Sequence, residues 1–445
     1  MKRHYVFYKD RPEWADVTPV PQHEGEINVI RIAYSPEFVD AHDYMRAVLL
    51  KDERSDRALE ITTTVLQLNP ANYTVWEYRR RILTTLGSDL GEEMNFVSQL
   101  IDDTSKNYQL WHHRQWLVIQ LAEKANNTSD ALSALGNGEL SFTESIISDD
   151  AKHYHAWQHR RWAVTYFKIA PEVELAYTES LINEDMYNNS AWNHRYVTVT
   201  KDEGLTQAVL EREIEFAKKI IRLAPCNESS WNYLYGLLVP PPSVIVDNAH
   251  IRREQTKANT KVHIVDETTA PDTSHPQKSG THVVIYPPTG TNLRTVRQFA
   301  EELAKTDEVA SSSPALLSFL VEVYADLIQA RVNSKVSCLH GDTPNLESSS
   351  SSLSTRSSST SSRIMVTSNP LGTSETSTSP TLVIASSPSH SVTLSDEPEE
   401  SVEDLLDRAQ SLCERLALEL DRIRMTYWRY RSRQLKVLAD GGAAL

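Results

Sequence analysis

Histidines recur in the middle of the sequence, and histidine is the side chain that most often binds metals or transfers protons near neutral pH. His155 and His159 are four residues apart, which would place both imidazoles on one face of a helix. However, His159 belongs to a position that His113 and His194 repeat elsewhere in the chain. The sequence has no HExxH motif, no Cys/His metal set and no glycine-rich phosphate loop. These histidines are therefore predicted to be packing residues rather than metal ligands.

A tryptophan motif that contains these histidines repeats along the chain. Its clearest copy spans residues 150–162, and most copies place an arginine three residues after the tryptophan. A period in the mid-thirties is typical of helical-repeat proteins, so the tryptophans are predicted to be packing residues. The anchoring residues are Trp76, Trp111, Trp157, Trp192 and Trp231, at spacings of 35, 46, 35 and 39 residues.

Each repeat is predicted to be a hairpin of two helices. Apolar residues at spacings of three and four mark the first helix, as Ile61, Val65 and Leu68 do. Proline in the following turn ends that helix, and an asparagine caps the second one. In the second helix Trp76 and Arg79 share a face, from which the guanidinium can hold carbonyls or carboxylates of the adjacent repeat. The predicted fold class is all-α, a right-handed α-solenoid or crescent of helical hairpins.

Composition divides the chain into six predicted segments. Two polar stretches without helical periodicity interrupt the array, because they cannot bury enough apolar surface to fold. A shorter loop is predicted between Lys124 and Gly138, where Asn, Ser and Gly account for the 46-residue spacing. The segments are an N-terminal arm at 1–40, repeats 1–5 at 41–240, a disordered insertion at 241–292, a sixth hairpin at 293–332, a Ser/Thr-rich disordered insertion at 333–400 and a C-terminal hairpin at 401–438.

Charge and cysteine content restrict the class of protein. The formal net charge is −15, which argues against a protein that binds nucleic acid through a basic surface. Cys226, Cys338 and Cys413 lie far apart, as expected of a reduced, cytoplasmic protein with inert thiols. The basic N-terminus lacks the apolar segment of a signal peptide, and no apolar run is long enough to span a membrane.

The repeated pattern Asn-Tyr-x-x-Trp-x-x-Arg-Arg resembles the repeat of protein prenyltransferase alpha subunits. The resemblance extends to residues 8–22, 44–49 and 52–58, and to the Asn-Glu-Ser-Ser-Trp and Tyr-Trp-Arg-Tyr segments near positions 231 and 428. These segments resemble the branch of the family that serves both farnesyltransferase and type I geranylgeranyltransferase. The resemblance covers about residues 5–240, 293–330 and 402–436.

The resemblance implies an obligate heterodimer. In this family the alpha subunit wraps a beta subunit that holds the catalytic zinc and most of the isoprenoid pocket, and magnesium is a further cofactor. The reaction transfers a farnesyl or geranylgeranyl group from its diphosphate to the cysteine of a C-terminal C-a-a-X motif. This sequence lacks the residue spacing typical of zinc ligands, as expected if the beta subunit binds the zinc.

The resemblance also implies roles for individual residues. Lys106 matches the family lysine that faces the diphosphate, and Tyr154 matches a tyrosine near the same group. Tyr108, Gln109 and His155 match residues beside the substrate, with the Gln109 amide donating to the substrate's C-terminal carboxylate. Asn188 and Asn189 match the subunit interface.

His153 departs from the pattern, because the family has asparagine before that tyrosine. This histidine is expected to introduce a pH dependence. On the residues alone, the preferred interpretation of Lys106 is a solvated lysine like Lys152, and the tyrosines are explained as repeat packing.

Two other functions remain open at this point. One is the alpha subunit of Rab geranylgeranyltransferase, against which the Arg-Pro-Glu-Trp-Ala-Asp segment and the lack of a leucine-rich tail both count. The other is a non-catalytic helical-repeat scaffold that binds peptides, which the Trp–Arg solenoid alone would permit.

Overall fold

The computed structural model describes residues 5–22, 32–239, 290–339 and 400–441, and these ranges contain helices and turns but no β-strand. The all-α array of helical hairpins is as predicted. The helices are α1 Pro36–Leu50, α2 Asp56–Leu68, α3 Tyr73–Leu86, α4 Leu90–Thr104, α5 Tyr108–Lys124, α6 Ser129–Asp149, α7 Tyr154–Phe167, α8 Pro171–Glu184, α9 Asn189–Val197, α10 Gln207–Leu223, α11 Glu228–Leu238, α12 Gly290–Thr306, α13 Glu308–Ser311, α14 Pro314–Leu339, α15 Val402–Arg415 and α16 Met425–Ala439.

The chain forms two compact units, Met1–Arg195 and Tyr196–Leu445. In the first unit α1 packs on α2, and the hairpins α2/α3, α4/α5 and α6/α7 follow one another. In the second unit α10 pairs with α11, and α14 packs against α11, α12, α15 and α16. Arg431 of the last helix, three residues after Trp428, forms a bidentate ion pair with Glu322 of α14.

The tryptophans close the turns between the paired helices. Each indole Nε1 donates a hydrogen bond to the carbonyl oxygen six residues earlier, which fixes the turn before its own helix. Because this bond satisfies the indole's polar group, the ring can be buried between helices. The donor–acceptor pairs are Trp76–Pro70 (2.8 Å), Trp111–Ser105 (2.7 Å), Trp157–Ala151 (2.9 Å), Trp192–Met186 (2.8 Å) and Trp231–Pro225 (2.9 Å).

The arginines of the motif join neighbouring hairpins through buried carboxylates. Arg79 of α3 makes a bidentate ion pair with Glu93 of α4, at 2.7 and 2.6 Å. His113 of α5 approaches the same carboxylate, with its Nε2 2.8 Å from Oε1. The remaining guanidinium nitrogen of Arg79 donates to the Leu59 carbonyl of α2 at 3.1 Å. One buried cluster therefore ties four successive helices together.

The same cluster recurs twice more in the first unit. Arg114, Glu139 and His159 form the second copy, and Arg160, Glu174 and His194 form the third. We call these three copies the Arg–Glu–His clusters. They place His113, His159 and His194 at buried packing positions, as predicted for these three histidines, and each of these rings also bonds to a carboxylate. In the second copy His159 Nε2 lies 2.6 Å from Glu139, so this nitrogen is engaged within the chain.

The predicted loop between Lys124 and Gly138 is wrong over most of its length. The chain turns at Asn126 and Asn127, both with left-handed backbone angles, and α6 then begins at Ser129. The additional residues lengthen the first helix of this repeat to 21 residues. Gly136 lies where α6 crosses α7, and a Cβ there would come within 3.1 Å of the Phe167 side chain. Glycine is favoured at this position because the two helices approach closely.

The two predicted insertions lie mostly outside the described residues. At their edges, α12 begins at Gly290 and α14 continues to Leu339, so helices extend into both of the predicted ranges. The N-terminal arm contains two short helical turns, and its Tyr8 and Trp14 are buried against Tyr44 of α1. The first helix, α1, starts at Pro36, with the Ser35 side chain accepting a hydrogen bond from the Phe38 N–H.

Replacing a shared carboxylate should destabilise the first unit strongly. The change Glu139→Ala leaves the buried Arg114 and His159 without their acceptor, so the free energy of unfolding should fall by about 3–5 kcal/mol. Glu77→Ala is the matched control, since Glu77 is exposed and 3.7 Å from Arg80. Urea denaturation of both variants measures the difference, and equal unfolding midpoints would contradict the importance of the buried cluster.

Acid should weaken the first of these clusters. Burial lowers the pKa of His113 from 6.5 to about 4, so the unfolded chain binds this proton at a higher pH than the folded chain does. The stability due to neutral His113 is complete above pH 6.5 and is lost as the pH falls towards about 4. Urea midpoints of the wild type should therefore decline more steeply across this window than those of His113→Gln. Parallel declines would refute the assignment.

Candidate functional site

The first turns of α5 and α7, with the turns that precede them, form one exposed edge of the first unit. We call it the rim, and it includes Lys106, Tyr108, Tyr154 and His155. The rings of Tyr108 and Tyr154 are each close to that of His155, with centroid distances of 6.2 and 5.6 Å. The structure thus brings together Tyr108, Tyr154 and His155, three of the residues for which the resemblance implies a diphosphate or substrate role.

The tyrosines that begin α3, α5 and α7 are not buried by their own chain. Tyr73, Tyr108 and Tyr154 share the same repeat position and are 71%, 56% and 69% exposed. Packing within the repeats therefore does not explain these side chains. A series of exposed aromatic rings on one edge is typical of a surface that binds another molecule.

Lys106 lies in the turn between α4 and α5, which Trp111 holds through the neighbouring Ser105 carbonyl. Its side chain is 75% exposed, and its ammonium lies 3.1 Å from the Asp150 carboxylate in the turn before α7. The hydrogen bond from Lys106 is the main reason why the pKa of Asp150 is lowered. The equivalent Lys152, one repeat later, forms no ion pair within the described part of the chain. Lys106 is thus oriented by its neighbour yet open to solvent.

Asp150 was missed by the sequence analysis. It opens the clearest motif copy, but nothing in that copy indicates a partner in the preceding repeat. The pair forms because consecutive hairpins place their turns at one edge. The same carboxylate also accepts a hydrogen bond from the Lys152 backbone N–H at 3.1 Å, which holds it in place.

A shallow groove of about 200 Å³ runs between the exposed faces of α5 and α7. Burial lowers the pKa of His155, so this imidazole is neutral at pH 7. Gln109 is half-buried in the first turn of α5, where its backbone N–H donates to the Asn107 side chain at 3.0 Å. The groove is lined by Tyr108, Trp111, His112, Gln115, His155, Gln158, His159 and Trp162.

His153 caps α7 in the place where α3, α5, α9 and α11 have asparagine. Its Nδ1 accepts a hydrogen bond from the Ala156 N–H at 3.1 Å, and the side chain is buried. Asn188 has the same function one repeat later, accepting from Ser190 and Ala191 at 3.1 and 3.2 Å. The side-chain oxygen of Asn188 is therefore engaged within the chain, whereas the adjacent Asn189 is exposed.

The described residues contain neither a metal-binding cluster nor a membrane-spanning helix. No group of three or more His, Cys, Asp or Glu side chains is arranged to hold a metal ion in the ranges that the structure covers. No helix among the described residues has the length and apolar character needed to cross a membrane.

Known proteins contain repeats similar to these hairpins. The sequence model of the protein prenyltransferase alpha subunit repeat matches residues 55–86, 90–121, 137–167, 171–202 and 210–239. The chain is 44% identical over 245 residues to a protein farnesyltransferase/geranylgeranyltransferase type-1 subunit alpha of Pisum sativum, which covers 54% of this chain and 70% of that one. A tomato (Solanum lycopersicum) protein of the same description is 50% identical over 99 residues, but this spans only 22% of this chain and 29% of the relative.

A solved structure shares the fold. The Candida albicans protein geranylgeranyltransferase-I, complexed with GGPP, aligns with a TM-score of 0.59 at 21% identity. The alignment covers 98% of this chain and 99% of the other. At that level of identity the likeness supports the fold and not the individual site residues.

Removing the Lys106 side chain should leave the stability of the chain unchanged. The Lys106–Asp150 pair is exposed, and exposed ion pairs contribute little to folding. By contrast, Asn107→Ala removes the cap of α5 and should cost about 1 kcal/mol. Thermal and urea unfolding of Lys106→Ala, Asn107→Ala and the wild type measure both effects. A large loss of stability in Lys106→Ala would show that this lysine is structural.

Proposed function

The chain belongs to the family of alpha subunits shared by protein farnesyltransferase and geranylgeranyltransferase type 1, and we propose that it serves as such a subunit in a heterodimeric transferase. The enzyme moves a farnesyl or geranylgeranyl group from its diphosphate to the cysteine of a C-terminal C-a-a-X motif. Its cytoplasmic location is part of the proposal and fits the free thiols of Cys226 and Cys413.

The observation that carries the proposal is the oriented, solvent-open ammonium of Lys106. When the carbon–oxygen bond of an isoprenoid diphosphate breaks, negative charge develops on the departing diphosphate. An ammonium already held in position stabilises that charge without reorganising first. Asp150 supplies the orientation, and the turn that Trp111 holds supplies the backbone position. A partner that covers the rim would exclude water and strengthen this interaction.

Other residues in this region could bind the isoprenoid diphosphate and the protein substrate. The phenol of Tyr154 is an exposed donor for a diphosphate oxygen. The side-chain amide of Gln109, in the first turn of α5, can donate to the C-terminal carboxylate of the protein substrate. Tyr108 and the neutral His155 line the adjacent groove, where they would contact the peptide.

A beta subunit would cover the rim and the groove. The exposed rings of Tyr73, Tyr108 and Tyr154 supply the aromatic contacts that protein interfaces favour, and the exposed Asn189 extends this edge into the next repeat. We assign the zinc to that beta subunit, where it would activate the substrate thiol as thiolate. No described residue of this chain is assigned as a ligand of zinc or of the magnesium that we also include in the proposal.

Co-expression with a farnesyltransferase beta subunit tests the proposal. We expect a one-to-one complex that farnesylates a C-a-a-X peptide. In Lys106→Ala, turnover should fall by about a hundredfold or more with assembly intact, because a preorganised donor to the developing charge is lost. Lys152→Ala is the matched control, since Lys152 has the same repeat position without the ion pair, and its turnover should be close to that of the wild type.

Each alternative outcome of this experiment is informative. Equal turnover in the two lysine variants would indicate that Lys106 is a solvated lysine without a role in turnover. A stable solitary chain that binds no beta subunit would instead indicate the non-catalytic peptide-binding scaffold. Activity only on Rab proteins, with a beta subunit of that enzyme, would assign the chain to the other branch of the family.

A further inference from the structure

One repeat begins its second helix with a different chemical group from the others. The side chain of His153 caps α7, accepting the Ala156 N–H at Nδ1 over 3.1 Å. In the corresponding helices an asparagine oxygen accepts a hydrogen bond from a backbone N–H two or three residues further on. Those asparagines are Asn72 before α3, Asn107 before α5, Asn188 before α9 and Asn227 before α11.

The two caps respond differently to protons. An amide oxygen is an acceptor at any pH, but Nδ1 of an imidazole accepts only while it carries no proton. The cap therefore requires the neutral tautomer of His153 with its hydrogen on Nε2. That Nε2 is buried without a hydrogen-bond partner in the part of the chain that the structure describes. A proton on Nδ1 would face the Ala156 N–H at the positive end of the helix.

Charged groups on both sides of the ring influence its protonation. Asp150, in the turn before α7, favours the charged form, and Lys106, in the turn before α5, opposes it. From α7 the ring of His155 lies 6.2 Å away, and from α5 the uncharged Trp111 lies at 5.8 Å. Trp111 also contacts His159, which bonds to Glu139, the carboxylate that Arg114 binds as well. Burial is the largest influence on His153, and it lowers the pKa.

We propose that His153 is a positioning residue whose neutral ring holds the first turn of α7, and with it Tyr154 and His155, in the geometry that the rim needs. Protonating His153 removes the acceptor and releases that turn. The consequence for catalysis rests on the proposed function, whereas the consequence for the helix does not. A chain with asparagine at this position would hold the turn at any pH.

The direction of the effect follows from the two states of the turn. When the turn is open, the ring is solvated and has an ordinary histidine pKa of about 6.5. In the closed turn the pKa is lower, so the open turn takes up the proton first. The cap is therefore complete above about pH 6.5 and weakens as the pH falls below that value.

Hydrogen exchange measured by mass spectrometry tests the cap directly. After correction for the intrinsic chemical rate, amides in the first turn of α7 should exchange about fivefold faster at pH 5.5 than at pH 7.5. The first turn of α5, capped by Asn107 in the same molecule, is an internal control and should not change. His153→Asn should abolish the pH effect, and His153→Ala should exchange rapidly at both values. Equal protection of α7 at the two pH values in the wild type would overturn the cap mechanism.

Activity of the heterodimer tests the positioning role. The ratio of kcat/KM of the wild type to that of His153→Asn should be constant above pH 7 and fall by about fivefold near pH 5.5. The ratio isolates His153, because other titrating groups act alike in both proteins. A pH-independent ratio would overturn the positioning role even if the exchange result holds. If no transferase activity is found, the proposed function fails, and the exchange experiment on the full chain still decides the cap mechanism.

Discussion

The first unit depends on buried carboxylates that are shared between neighbouring repeats. Removing a carboxylate from water costs several kcal/mol, and the cost is offset only where good geometry and further hydrogen bonds compensate. Glu93, Glu139 and Glu174 each meet this condition, because an arginine of the preceding hairpin binds in bidentate fashion and a histidine of their own hairpin binds from the other side. Because each carboxylate bonds to residues of two neighbouring hairpins, it fixes how a hairpin packs against the preceding one.

This arrangement also explains how the long spacing between Trp111 and Trp157 is accommodated. The carboxylate precedes its histidine by 20 residues in all three clusters, and Glu213 precedes Tyr233, which donates to it, by the same 20. The distance from arginine to carboxylate is 14 residues in two clusters but 25 in the one that includes Glu139. The extra residues therefore enter before the shared carboxylate, where they lengthen the start of α6 and leave the hairpin geometry intact.

Much of this fold could be predicted from the sequence, because the repeat period, the helix caps and the Trp–Arg pairing are local patterns. The loop predicted before Gly138 failed because tertiary packing overrode the weak helix propensity of Asn, Ser and Gly. The sequence predicted carbonyls or carboxylates of the adjacent repeat as partners of the arginines, but it did not identify which glutamates, since their distance from the arginine varies. Asp150 was missed for a related reason, because its pairing with Lys106 depends on how hairpins stack. The chemical roles of Lys106, Tyr154 and Gln109 came from resemblance alone, and residue spacing could not have supplied them.

A substitution on the rim has a different structural effect from a substitution in the buried clusters. Each member of an Arg–Glu–His cluster serves two or more helices, so a change at one position leaves buried charge uncompensated at the others. Lys106, Tyr108 and Tyr154 contact solvent instead, and the repeats stack whatever these side chains are. The residue that caps α7 is constrained less than a cluster residue and more than a rim residue. It must offer a hydrogen-bond acceptor to the first turn of the helix, but more than one type of side chain can do so. An imidazole satisfies that requirement while neutral and adds a proton-dependent group beside Lys106. Because the stacking of the repeats does not depend on it, such a group can alter the rim without altering the scaffold.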